Sequence, residues 1–173
     1  MTASRRPILP VVALSGLLML LAGCESEPGS GGRQGGLVDR QATDFAAETL
    51  DRGTIRLSSL KDKVVLLNFW GIWCRPCRFE VPELNRMHQE LRPKGFQILA
   101  INFGDDRRDV ARFVVDNQIR YPVVFADTLI QLYNIRAFPT NIVVDREGKV
   151  RFISEGYGLA ATRELREAIE ELL

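Results

Sequence analysis

The chain has 173 residues, 46% of them hydrophobic and 26% charged, with a formal net charge of +1. These values fit one compact domain able to bury a core of its own. The near-neutral balance supplies no basic field to hold nucleic acid, so no nucleic-acid partner is expected.

Arg5 and Arg6 precede an uncharged apolar run over residues 8–20, and Leu21-Ala22-Gly23-Cys24 follows directly. A basic start, a short apolar run and small residues read as a secretory signal. The run falls short of the roughly 20 apolar residues of a membrane helix, and Pro10 interrupts it. The Leu-Ala-Gly-Cys ending resembles the lipobox of bacterial lipoproteins. That resemblance implies a signal peptide over residues 1–23, cleavage before Cys24 and lipidation of the Cys24 sulfur. An ordinary signal peptide with a chance cysteine, or an uncleaved anchor, is the alternative. Cleavage would remove two arginines and no acid, leaving 21 basic against 22 acidic side chains. Residues 24–36 are rich in glycine and have no apolar periodicity, which reads as a lipid-anchored flexible linker. Such a linker spans about 20 Å.

The folded domain is expected over residues 37–173. Residues 45–50 and 54–57 flank the turn Asp51-Arg52-Gly53 and predict a hairpin. Residues 64–70, VVLLNFW, predict a strand buried on both faces. From Arg75 the pattern turns helical, with Leu84, Met87 and Leu91 on one face and a kink expected at Pro82. Residues 96–102 predict a second buried strand. Asp106 caps a helix bearing Val110, Phe113 and Val114, and His88 and the charges at 105–109 are expected to face water. A short strand over 122–125 and one or two helical turns over 129–133 follow. Strands at 141–145 and 149–154 form a hairpin, and Ala161, Leu165, Ala168, Ile169 and Leu172 mark a closing amphipathic helix. Alternating strands and helices predict an α/β fold with a mixed sheet flanked by helices.

Trp73-Cys74-Arg75-Pro76-Cys77 follows a buried strand and opens a helix. A C-x-x-C pair in that context reads as a thioredoxin-type redox site. Unpaired N–H groups at a helix start favour an anion, so Cys74 is expected to ionise readily, aided by Arg75. Pro76 falls in the first turn, where its missing N–H costs little. Cys77, one turn in, is expected to be buried and to resolve the mixed disulfide that Cys74 forms. A zinc half-site needs more ligands than the lone His88 supplies, so no metal is expected. A purely structural disulfide is the other alternative.

W-C-x-P-C-x-x-E-x-P, here Trp73, Cys74, Pro76, Cys77, Glu80 and Pro82, resembles the membrane-anchored extracytoplasmic thioredoxins of the TlpA/ResA type. The resemblance runs from about Leu37 to the C-terminus. It implies a thioredoxin-like fold with an N-terminal β-hairpin and a central helix–strand insertion. It implies a proton shuttle at Glu80, whose pKa partial burial could raise. Thioredoxins proper often carry a buried aspartate where this chain has Asn68. The resemblance also implies a cis Pro139 facing the dithiol, with the backbone before it pairing an extended substrate. Phe138 departs from the smaller or β-branched residue common there, which bears on substrate preference. Trp73, Arg75, Pro76, Phe138 and Pro139 are the expected substrate-binding residues, and Trp70 is expected in the core.

The expected function is thiol–disulfide exchange at the extracytoplasmic, periplasmic face of a bacterial membrane, with reduction of protein disulfides favoured. Apocytochrome c is the first substrate suggested by the resemblance, and a membrane thiol donor would recharge the dithiol. No cofactor is expected, and the chain is expected to be a monomer. A thiol peroxidase of the peroxiredoxin type and a non-catalytic binding module are the rival readings.

Overall fold

The structure, a computed structural model, describes residues 35–173. The expected signal peptide 1–23, Cys24 and all but the last two residues of the 24–36 linker lie outside the described residues. Among the described residues no helix is long and apolar enough to cross a membrane.

Seven strands form one mixed sheet. They are β1 (Ala46–Thr49), β2 (Thr54–Arg56), β3 (Val64–Trp70), β4 (Phe96–Asn102), β5 (Val123–Phe125), β6 (Thr140–Val144) and β7 (Val150–Glu155), in the spatial order β2-β1-β5-β4-β3-β6-β7. β3, β4 and β5 run parallel, while the hairpins β1–β2 and β6–β7 pair antiparallel at the two edges. Among the described residues four α-helices complete the fold: α1 (Arg75–Leu91), α2 (Arg107–Asp116), α3 (Thr128–Leu132) and α4 (Leu159–Glu170). The expected α/β thioredoxin-like architecture is present. The inserted pair α2–β5 lies between β4 and α3, and the N-terminal hairpin joins the sheet through β1 pairing with β5.

Side chains alternate across a strand, and the core divides along that parity. Val64, Leu66 and Trp70 of β3 pack with Leu84, Met87 and Leu91 of α1 and with Leu165 and Ile169 of α4. Val65, Leu67 and Phe69 pack on the other face with Phe45, Leu57, Leu129 and Tyr133. All seven residues of β3 are buried, as a continuous apolar run in a doubly covered strand requires. Arg107 ties the insertion to the hairpin, donating to the Thr49 and Leu50 carbonyls at 2.8 and 2.9 Å while lying over the Phe125 ring.

Two surface expectations are corrected. His88 is 6% exposed, packed edge-on against Tyr121 of the segment leading into β5, which covers it from water. Its pKa is lowered by burial and by the nearby Arg92 charge. The charges at 105–109 are not simply a solvated face: Arg107 binds the hairpin as above, and Asp105 turns back on the loop before the cysteines. Asp106 does cap α2, accepting from the Arg108 N–H at 2.7 Å. α1 continues through Pro82, which lies on the exposed side of the helix. There water can satisfy the carbonyl that loses its donor.

Leu66 is fully buried in β3. Leu66→Ala is expected to lower the unfolding free energy by about 2–5 kcal/mol in urea titrations. Val115→Ala, on an exposed helix face, is expected to stay within about 0.5 kcal/mol.

Candidate redox site

β3 ends at Trp70, and the chain turns once before α1 begins. That turn closes with the Cys74 N–H on the Gly71 carbonyl at 3.2 Å. Cys74 is the N-cap of α1, in an extended conformation, and its sulfur accepts the Cys77 N–H at 3.2 Å. Pro76 sits in the first turn, where no N–H is needed. Cys74 and Cys77 are joined as a disulfide, with their Cα atoms 5.3 Å apart.

Cys77 is 2% exposed, as expected, but Cys74 is only 4% exposed. In the disulfide-bonded form the Cys74 sulfur therefore does not stand open to water. Its sulfur turns inward to its buried partner and packs in the cluster that includes Ile72 and Phe138. The residues around the sulfurs are open instead: Arg75 and Pro76 are exposed, and Trp73 and Phe79 are each more than half exposed. Arg75 lies over the Phe79 ring at 5.5 Å.

Glu80 lies on α1, one turn beyond Cys77, so the two side chains are neighbours on one helix face. It is 2% exposed. Its two carboxyl oxygens accept from Asn68 Nδ2 at 3.0 Å and Asn141 Nδ2 at 2.6 Å. Asn68 Nδ2 also donates to Asn141 Oδ1 at 2.9 Å. The two asparagines are register partners on β3 and β6 and share the parity of Leu66 and Val143, which puts them under α1. Burial raises the Glu80 pKa from 4.5 to about 7, against the opposing pull of the Asn141 and Asn68 hydrogen bonds. No cation compensates it among the described residues. Asn141 was not foreseen as a site residue. Its signal was legible all the same: Asn68 and Asn141 are lone amides inside fully buried strands, and such groups demand partners.

The Phe138–Pro139 peptide bond is cis. The Pro139 carbonyl accepts from the Gly156 N–H at 2.7 Å, and the Ala137 carbonyl accepts from Thr140 Oγ1 at 2.8 Å. The Phe138 N–H and carbonyl make no hydrogen bond among the described residues. Phe138 stacks on Phe103, centroids 5.7 Å apart, and meets the Trp73 ring edge-on at 5.1 Å. Trp73 Nε1 donates to the Phe103 carbonyl at 3.0 Å. A Cβ on Gly71 would come within 2.4 Å of that indole nitrogen, so a glycine there lets the ring fold back. Three aromatic rings thus form a wall beside the dithiol, of which the sequence disclosed Trp73 and Phe138 but not Phe103.

Taken together, the elements present a disulfide pair, a buried carboxyl of raised pKa one turn beyond it and an open backbone beside it. Similarity to known proteins falls in the same region. The AhpC/TSA family pattern matches residues 38–153. The thiol-disulfide oxidoreductase ResA of Geobacillus kaustophilus (strain HTA426) is 35% identical over 121 residues, covering 69% of this chain and 70% of that protein. A thiol:disulfide interchange protein of the thioredoxin family from Chlorobium tepidum TLS superposes with a TM-score of 0.69 at 27% identity, covering 76% of this chain and 94% of that one. A DsbF homologue from Corynebacterium diphtheriae gives 0.68 at 28% identity, with coverage of 77% and 87%.

Glu80 also fixes a pH dependence of stability. A carboxyl whose folded pKa lies above its unfolded one keeps a proton that the unfolded chain releases. Its stabilising contribution is complete below about 4.5 and is lost as the pH rises through about 7. Glu80→Gln is therefore expected to gain stability relative to the parent between pH 4.5 and pH 8, by up to about 3 kcal/mol. Urea titrations of the two oxidised proteins at both pH values measure it, and an equal difference at both would refute it.

Proposed function

The chain belongs to the AhpC/TSA family and is one of its thiol-disulfide oxidoreductases, and on that basis we propose that it reduces protein disulfides on the outer side of a bacterial membrane. The observation that carries this reading is the Cys74–Cys77 pair at the N-terminus of α1, with Glu80 buried one turn below. In the reduced protein, the Cys74 thiolate attacks one sulfur of a substrate disulfide. A Cys74–substrate bond forms, the substrate S–S bond breaks, and one substrate cysteine leaves and takes up a proton. Cys77 then gives its proton to Glu80 and attacks the Cys74 sulfur. The mixed disulfide breaks, the second substrate thiolate leaves, and the Cys74–Cys77 disulfide remains. Two electrons pass from the dithiol to the substrate, and an external dithiol donor at the membrane returns them.

A carboxyl with a pKa near 7 exchanges protons readily at neutral pH, which suits Glu80 to this role. The unpaired backbone at Phe138 supports docking of an extended substrate segment by strand-like pairing, with Trp73, Arg75, Pro76 and Phe138 around it. Reduction rather than oxidation is the direction, and apocytochrome c the first protein to test, both by analogy with the family resembled. Lipidation at Cys24 followed by the 24–36 linker would hold the domain about 20 Å from the membrane surface.

Three measurements examine this reading. Cys77→Ser is expected to accumulate covalent mixed disulfides on non-reducing gels, and Cys74→Ser to give none. The parent protein should reduce insulin disulfides and leave hydroperoxide unconsumed; rapid peroxide turnover would favour a peroxidase. Cys24→Ser should move the protein from the membrane fraction to the soluble extracytoplasmic fraction.

A further inference from the structure

Residues 103–105 fold back over the turn that delivers Cys74. Because that turn closes with the Cys74 N–H on Gly71, the Ile72 N–H is left pointing outward. Asp105 Oδ2 accepts it at 2.7 Å. The same oxygen accepts Asn102 Nδ2 at 2.8 Å. Asn102 is the last residue of β4, 1% exposed and in register with Trp70, so the carboxylate is anchored from the sheet. The Phe103 N–H adds a bond to the Trp70 carbonyl at 3.0 Å, and the Phe103 carbonyl holds the Trp73 indole. Gly104, at φ +79°, allows the reversal that brings Asp105 back. No other charged side chain hydrogen-bonds the 71–74 turn among the described residues.

We propose that Asp105 is a positioning residue for the dithiol: its carboxylate holds the 71–74 turn so that Cys74 caps α1, and it places a fixed negative charge near the Cys74 sulfur. One residue, Trp73, separates Ile72 from Cys74, so the carboxylate lies within roughly 10 Å of that sulfur. The charged groups near Cys74 are then Arg75, Arg78 and Glu80 from α1, the Arg78 N–H bonding the Cys74 carbonyl at 3.2 Å, and Asp105 from the β4–α2 loop. β3 and the Phe138–Pro139 segment contribute none. The helix dipole and Arg75 favour the thiolate, and Asp105 opposes them. A less stabilised thiolate shifts a dithiol pair toward its disulfide, which makes it the stronger reductant. The inference rests on Cys74 as the attacking thiol and accounts for the reducing direction through a residue of this chain.

The test compares Asp105→Asn and Asp105→Ala in the reduced protein. The Asn variant keeps an oxygen to accept from Ile72 but loses the charge, and the Ala variant loses both. Iodoacetamide alkylation of Cys74 against pH, read by mass spectrometry, reports its thiol pKa without any substrate. Both variants are expected to shift that profile to lower pH by about half a unit to one unit. Both should move the equilibrium with glutathione toward the dithiol, by roughly 3–10-fold for that shift. At equal thiolate fraction, Asp105→Ala should reduce insulin several-fold more slowly than the parent, and Asp105→Asn should restore the rate to within about two-fold. An unshifted alkylation profile in Asp105→Asn overturns the proposal, and so does an Asp105→Ala rate equal to the parent's or left unrescued by Asn. If the Ala variant does not fold, the Asn profile alone decides. Failure of the parent to reduce insulin would instead reject the reductase reading, while the alkylation profile would still judge Asp105.

Discussion

Two strand amides and one helix carboxyl share three hydrogen bonds beneath the dithiol, with no cation to neutralise them. Asn68, Asn141 and Glu80 join β3, β6 and α1, the three elements that carry the two cysteines and the Phe138–Pro139 segment. An unpaired buried polar group costs about 1–3 kcal/mol, so each member depends on the other two. The triad ties α1 to β3 and β6 one turn beyond Cys77. It also brings the Glu80 pKa up to about 7, because burial outweighs the two amide hydrogen bonds. Structure and chemistry therefore rest on the same three side chains.

Around this fixed floor the surroundings of the sulfurs differ in kind from one side to another. Toward β4, the 103–105 loop grips the turn before Cys74 through Asp105 and the Phe103 carbonyl. Toward β6, the backbone at Phe138 is open while its neighbours are engaged by Gly156 and Thr140. On the solvent side, Trp73, Arg75 and Phe79 stand exposed. In the oxidised form both sulfurs are withdrawn into the core cluster. Exposed aromatics around buried sulfurs suit a surface that recognises a partner protein, since Tyr, Trp, Phe and Arg dominate such contacts.

The inserted pair α2–β5 links the redox site to the rest of the sheet. β5 extends the parallel ladder beside β4 and receives the N-terminal hairpin on its free edge. Arg107, at the start of α2, binds that hairpin while Asp105, two residues earlier, binds the cysteine turn. A five-residue stretch of mixed charge thus fastens both the periphery and the centre of the fold.

Much was legible in the chain itself, because the signals were local. The apolar run of β3 has to be covered on both faces, the heptad-like spacing of Leu84, Met87 and Leu91 has to lie against something, and Cys-x-x-Cys at a helix start places two sulfurs one turn apart whatever surrounds them. Strand and helix positions followed within one or two residues. The spacing of Glu80 from the cysteines put it near them, while the cis bond at Pro139 was implied by the family resemblance rather than by spacing. What the sequence could not decide was everything that depends on residues far apart in the chain. Asn141 reaches Glu80 across 61 positions, and Asp105 reaches Ile72 across 33. His88, Asp105 and Arg107 look solvated by composition and are drawn inward only because other elements meet them, while Asp106, Arg108 and Asp109 stay exposed as expected. The inward turn of Cys74 likewise comes from its bond to a buried partner. Periodicity and spacing report which face of an element is apolar; which polar groups meet across two elements is set by sheet register and helix placement, and those exist only in the folded chain.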